Sequence, residues 1–206
     1  AAAVDQIGDV DVLFNNAGIA ATFPAMGVMA VNYLGLRQLT EALLPKISAG
    51  GSIVNTASIA GGQWPANLAS ILELLALDDR DASIKWMEQH TELIGDGYAF
   101  SKECVQVYTM KSAKVSMAKK VRTNSVCPAP IDTPLMADFK KTMTEKTINW
   151  TVDQCGGTMA TGRDIALALS FFGSDASGYV NGVNLNVDGG FSGFMTTGQL
   201  DFSGLA

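Results

Sequence analysis

The chain has 206 residues, 48% of them hydrophobic, with a formal net charge of −6; that is enough to bury one sizeable core, and the whole of 1–206 reads as a single domain. The acidic balance argues against a nucleic-acid or anionic-membrane surface, because a phosphate-binding face needs clustered Lys and Arg. Three widely spaced cysteines (Cys104, Cys127, Cys155) and a single histidine, His90, give neither a disulfide framework nor a metal-ligand set, so no metal is expected and a reducing, cytoplasmic setting fits.

The N-terminus shows no basic segment followed by an apolar one, and nowhere do roughly 18 uncharged apolar residues run together, so a soluble protein is expected. Residues 1–8 read as the tail of a helix. The run VDVLFN, 10–15, is short, apolar and followed by small residues, as buried parallel strands are. Residues 31–47 carry Val31, Leu34, Leu39 and Leu43 at helical spacing, with Pro45 near the end. A second strand is predicted over 52–56 (SIVNT).

Residues 61–97 are too many for an ordinary connection. Leu68, Ile71, Leu72, Leu75 and Leu77 could form one apolar helical face and 84–93 a second helix, which predicts a helical insertion over the site or at an interface. Trp64, Trp86, Met87 and these leucines either cover an apolar, ring-containing substrate or fill the insertion's own core. Beyond it come a long helix over 98–119, a strand over 122–127, a helix over 162–172 and a last strand over 183–187. The basic stretch 111–122 reads as a solvated helix face and its exit loop. Strands alternating with helices predict an α/β domain with a parallel sheet.

Tyr98 and Lys102 are four residues apart, on one face of the long helix. A free tyrosine has a pKa of about 10; a nearby cation stabilises the phenolate and brings it toward the range where it can exchange a proton with an alcohol. Alone this pair is a weak signal. Asn15-Asn16-Ala17-Gly18, Ser58-Ile59-Ala60-Gly61 and the segment from Pro128 to Thr133 each follow a predicted strand, and in open α/β sheets such ends converge on one crevice.

Taken together, NNAG at 15–18, VNYLG with Asn32, the serine of TASIAG at Ser58, YAFSK at 98–102, VRTNSVCPAPIDT ending at Thr133 and NGVNLNVDGG ending at Gly190 resemble the short-chain dehydrogenase/reductase family over about 10–190. The resemblance implies a Rossmann-like, doubly wound parallel sheet and an oxidoreductase that moves a hydride between NAD or NADP and an alcohol or ketone. It implies that Tyr98 is the general acid/base, that Ser58 holds the carbonyl oxygen, and that Lys102 binds the nicotinamide ribose while lowering the Tyr98 pKa. Asn32 would anchor a water in a proton relay. Asn15, Ala17 and Gly18 resemble the segment on the adenosine side of the cofactor, and Ile131 and Thr133 resemble positions that meet the nicotinamide carboxamide and a phosphate. A homodimer or homotetramer through the two long helices is implied as well.

Each assignment has a structural alternative. Asn32 could satisfy backbone groups at a helix kink, Ser58 could cap a turn, and Thr133 before Pro134 could be an N-cap with proline at the first helical position. Asp188-Gly189-Gly190 reads as a turn. The sequence departs from the family in having no Thr-Gly-x-x-x-Gly-x-Gly turn to receive a pyrophosphate, so the sheet is expected to be truncated in its N-terminal half. It departs again at Ala129, where the family commonly has glycine. The long insertion and the short link from Gly18 to Asn32 are similar to the bacterial 3α-hydroxysteroid dehydrogenase/carbonyl reductase subgroup, which implies a hydrophobic or cyclic substrate. A catalytically inactive remnant serving as a binding or oligomerisation module, and an epimerase or lyase of the same superfamily, are the competing readings.

Overall fold

The strand and helix signals assemble into one parallel sheet with helices on both faces. In the computed structural model, which describes residues 2–205, α1 (Ala2–Asp5) leads into β1 (Val10–Asn15); Ala1, in the expected helix tail, lies outside the described residues.

The helix expected over 31–47 is built differently. It starts earlier as α2 (Ala25–Met29), passes through a π-helical stretch (Ala30–Gly35) and continues as α3 (Leu36–Leu43). The wider π turn rotates one face relative to the next. Val31 and Leu39 therefore point outward, while Met29, Tyr33, Leu36 and Leu43 are buried. Ile47, expected to end this helix, instead opens β2 (Ile47–Thr56). The register between β1 and β2 slips from Val10↔Ile47 to Val12↔Ser52, and the small residues Ala49, Gly50 and Gly51 at the slip carry no apolar signal.

The insertion comprises α4 (Trp64–Leu75), α5 (Arg80–Gln89) and α6 (Thr91–Ile94). The single helix expected over 84–93 is in fact two. Asp79 starts α5 four residues early by accepting from the Ala82 amide at 2.8 Å, and the chain breaks at His90, whose ring stacks on Trp86 at 3.8 Å. The apolar face of α4 is Ile71, Leu74 and Leu75; Leu72, expected on it, is 41% exposed. That face packs, with Met87 and Ile94, against Phe100, Cys104 and Val107 of α7 (Tyr98–Met117), so the insertion belongs to the domain's main core.

After α7 come β3 (Arg122–Pro128), β4 (Ile131–Asp132), α8 (Met136–Thr142) and α9 (Glu145–Gln154). β5 (Ala160–Thr161), α10 (Gly162–Gly173), β6 (Asn184–Val187) and α11 (Phe191–Thr196) complete the chain's main elements. α10 opens on a capping box in which the Asp164 carboxylate accepts from the Thr161 amide at 2.7 Å. Arg122, at the end of the basic stretch, is not simply solvated; its guanidinium donates to the Phe172 carbonyl at 3.0 Å.

The main sheet runs β1-β2-β3-β6, all parallel. α3 and α7 cover one face, with α4 outside α7, and α10 covers the other, which is the doubly wound arrangement. β4 and β5 form a small parallel pair that ties the loop after β3 to the start of α10.

Candidate active site

A crevice lies outside the carboxyl ends of β1, β2 and β3, where open α/β sheets take their ligands. The cavity there has a volume of about 1020 Å³ and is lined by Gly18, Ser58, Tyr98, Lys102, Ile131 and Thr133, among others.

At the end of β1 the chain turns so that Asn16, not Asn15, meets the cavity. The Asn15 carboxamide is buried under the sheet, where its Nδ2 donates to Thr40 Oγ1 at 2.7 Å and to Asn55 Oδ1 at 2.8 Å. Ala17 is exposed outside the cavity. Of the three residues expected on the adenosine side, only Gly18 lines it. Strand alternation decides the Asn15/Asn16 parity, and doublets of identical residues hide it from the sequence. Asn16 Oδ1 accepts from Thr56 Oγ1 at 2.8 Å.

Ser58 follows β2 in an extended conformation and caps a short 3₁₀ turn, Ile59–Gln63, its Oγ accepting from the Ala60 amide at 3.1 Å. Capping and cavity-lining coexist in this one residue. The turn is held against α7 because Gln106 Nε2 donates to the Ser58 carbonyl at 2.8 Å. The approach is tight: a Cβ on Gly61 would sit 2.6 Å from the Lys102 carbonyl carbon.

α7 starts where the Asp96 carboxylate accepts from the Tyr98 amide at 2.9 Å. Helical spacing then stacks Lys102 below Tyr98, with Nζ 5.8 Å from the ring centroid. Nζ donates to the Thr56 carbonyl at 2.8 Å. Burial holds the Lys102 ammonium down at about 8. Tyr98 is not lowered as expected but raised to about 12: burial dominates, a hydrogen bond with Ser58 offsets part of it, and Asp96 adds to it. In a desolvated site the loss of hydration outweighs a cation whose hydrogen bond points elsewhere.

Asn32 does not line the cavity. Its Oδ1 accepts from the Ile19 amide at 2.8 Å, and its Nδ2 donates to the Ile19 carbonyl at 3.0 Å and to Ser101 Oγ at 3.3 Å. It clamps the strap after β1 to the π-helical turn and α7. The structural alternative for Thr133, an N-cap, does not hold: α8 begins only at Met136, preceded by Leu135. Asp188 forms the expected turn, its two carboxylate oxygens accepting from the Gly190 and Ser192 amides at 3.0 and 2.9 Å.

The apolar wall facing Tyr98 was invisible to sequence reading. It comes from α8, α9 and α11 through Phe139, Ile148, Trp150 and Phe191, and Phe139 meets the Tyr98 ring edge-on at 5.0 Å. From the insertion Trp64 joins this wall, while Met87 is fully buried in the core.

Residues 1–70 match the family model described as short chain dehydrogenase, and 87–192 match the one described as enoyl-(acyl carrier protein) reductase. A coniferyl-alcohol dehydrogenase from Pseudomonas sp. is 32% identical over 192 residues, covering 92% of this chain and 75% of that protein. The chain belongs to the short-chain dehydrogenase family. It is in class an NAD(P)-dependent oxidoreductase. A trans-4-hydroxycyclohexanecarboxylate dehydrogenase from Sinomonas cyclohexanicum is 29% identical over 92% of this chain, which spans 63% of that relative's length. Among solved structures, the 3α-hydroxysteroid dehydrogenase from Pseudomonas sp. B-0831 in complex with NADH superposes with a TM-score of 0.79 at 27% identity, over 95% of this chain and 78% of that one.

The residues present fit the nicotinamide end of the family's cofactor. A Cβ on Gly18 would lie 3.3 Å from Asn32 Oδ1 and 3.8 Å from Lys102 Nζ, so glycine there keeps a path open to the ammonium. Among the described residues only one oxygen, that of Thr56, takes a hydrogen bond from Lys102 Nζ, and an ammonium has three donors; the rest are available to ribose hydroxyls. Among the described residues no three His, Cys, Asp or Glu groups are placed to hold a metal ion, and no helix is long and apolar enough to cross a membrane.

Proposed function

We propose that this chain interconverts a hydrophobic, ring-containing alcohol and its carbonyl, with Tyr98 as the proton-transferring group. The observation that carries the reading is the convergence of Ser58, Tyr98 and Lys102 on one cavity whose opposite wall is apolar. Two relatives are named for ring-bearing alcohols, which supports the same substrate class. The bound nicotinamide supplies or accepts the hydride; the chain's own residues position the reactants and manage the proton.

In the reducing direction, Ser58 Oγ donates a hydrogen bond to the substrate carbonyl oxygen. Tyr98, held near 12 by burial, is a protonated phenol at neutral pH and is therefore the donor that the developing alkoxide needs. The Lys102 ammonium, four residues along the same helix face, stabilises the phenolate left behind and holds the ribose. Because the Asn32 side chain is committed to Ile19 and Ser101, a water relay from Lys102 would use the Asn32 main chain. Ile131 and Thr133 would flank the nicotinamide on the side held by β4 and β5. Free cysteines fit a cytoplasmic setting. A homodimer or homotetramer is supported by the exposed Leu39 on α3 and Val115 and Met117 on α7.

The test is titration with NADH and NADPH by fluorescence, followed by reduction of a panel of cyclic ketones. Binding and turnover are expected. A folded protein that binds neither nucleotide overturns the enzyme reading and leaves a binding or oligomerisation module in its place.

A further inference from the structure

We propose that the cavity selects a neutral substrate carrying a second hydrogen-bonding oxygen, and that the carboxamide of Asn186 receives that oxygen. This rests on the oxidoreductase reading above and adds the substrate's charge and its distal group.

Charge is the first observation. Among the described residues that line the cavity, Lys102 is the sole Asp, Glu, Lys, Arg or His. Its ammonium lies at the reacting end and is already bonded to the Thr56 carbonyl. A carboxylate or phosphate on the far part of a substrate would be desolvated against Trp150, Phe191 and Met195 with no counter-charge, which is costly. The chain's net charge of −6 also repels anions at long range.

The second observation is a carboxamide without a partner. On β6, Asn184 is turned toward α7, because its Oδ1 accepts from Ser125 Oγ at 2.6 Å and its Nδ2 donates to the Gln106 carbonyl at 3.3 Å. Alternation places Asn186 on the same face, ~6.6 Å farther toward the strand's carboxyl end, and it lines the cavity there. The asparagines of the sheet's other strands are bonded: Asn15 Nδ2 donates to Asn55 Oδ1, leaving only Asn15 Oδ1 without a partner among the described residues, Asn55 also donates to Thr109, and Asn124 bonds Val180 and Val183. Asn186 is exposed, and among the described residues its side chain makes no hydrogen bond, so a ligand can reach it. A carboxamide offers both a donor and an acceptor, which suits a hydroxyl, ether or carbonyl oxygen. An anion could use its donors but would face its oxygen as well.

Three ligands with the same ring separate the possibilities: cyclohexanone, 4-hydroxycyclohexanone and 4-oxocyclohexanecarboxylate. Trp64 and Trp150 line the cavity, so their fluorescence reports binding, and NAD(P)H oxidation reports turnover. The wild type is expected to bind the hydroxyketone about tenfold more tightly than either other ligand, the worth of one satisfied hydrogen bond. Asn186→Leu should bring the hydroxyketone-to-cyclohexanone ratio to about one, and Asn186→Lys should turn the preference toward the carboxylate. Carboxylate binding equal to that of the hydroxyketone in the wild type, or a ratio that survives Asn186→Leu, overturns the proposal. Ligand discrimination without any nucleotide oxidation sinks the oxidoreductase reading and leaves the recognition intact; turnover without discrimination does the reverse.

Discussion

Adding a single methyl group at Gly61 tests whether the Ser58 turn is pinned to α7. In Gly61→Ala the new Cβ would lie 2.6 Å from the Lys102 carbonyl carbon and 2.8 Å from both Glu103 N and Gln106 Nε2. Non-bonded carbons settle at about 3.5–4.0 Å, so the turn must retreat by ~1 Å, because two of the three obstacles are backbone. Ser58 moves with it, since its carbonyl accepts from both Gln106 Nε2 and the Gly61 amide, at 2.8 and 3.1 Å. A misplacement of ~1 Å at a reacting group costs on the order of 100-fold in rate. The overpacking itself costs about 1–3 kcal/mol, or roughly 2–4 °C in Tm per kcal/mol for a chain of this size. The assay is kcat/KM for ketone reduction alongside a thermal melt, with Gly62→Ala as the stability comparison because nothing lies within 4 Å of its Cβ. Gly61→Ala with wild-type turnover and an unshifted melt would show that the turn is free to adjust, and the positioning role given to Gln106 and Gly61 would fall.

Tyr98→Phe should lower kcat by about 10²- to 10⁴-fold, the usual worth of a general acid, with an unchanged far-UV circular dichroism spectrum; retention of more than a tenth of the activity would point to a different proton donor. Lys102 releases its proton near pH 8 in the folded chain instead of at its ordinary 10.5, so between those values the unfolded chain binds more protons and stability rises with pH. The urea midpoint of the wild type should therefore climb relative to Lys102→Met from pH 8 to 10, and a difference that stays flat or falls refutes the burial of the ammonium. Leu74→Ala empties a fully buried position in the insertion's packing on α7 and should cost about 2–5 kcal/mol. Leu72→Ala, two residues earlier on the outward face, should cost less than about 0.5 kcal/mol; equal losses in the two would mean that α4 packs with its other face.

What a single sequence determines is local. The i, i+4 spacing of Tyr98 and Lys102 is set once residues 98–117 form a helix, and the apolar runs that became β1 and β3, with the turn at Asp188, depend on neighbours in the chain. The π turn at Ala30–Gly35, which carried Val31 and Leu39 outward, and the register slip that opened β2 at Ile47 both arise from packing against other elements. So does the choice of Asn16 over Asn15 for the cavity, since strand parity has meaning only once the sheet's two faces are covered. The apolar wall joins α8, α9 and α11, elements separated from Tyr98 by tens of residues, and no local pattern links them to it. The direction of the Tyr98 shift is likewise a tertiary property: the motif supplies the cation, but the surrounding core removes the water, and in this fold desolvation is the larger effect.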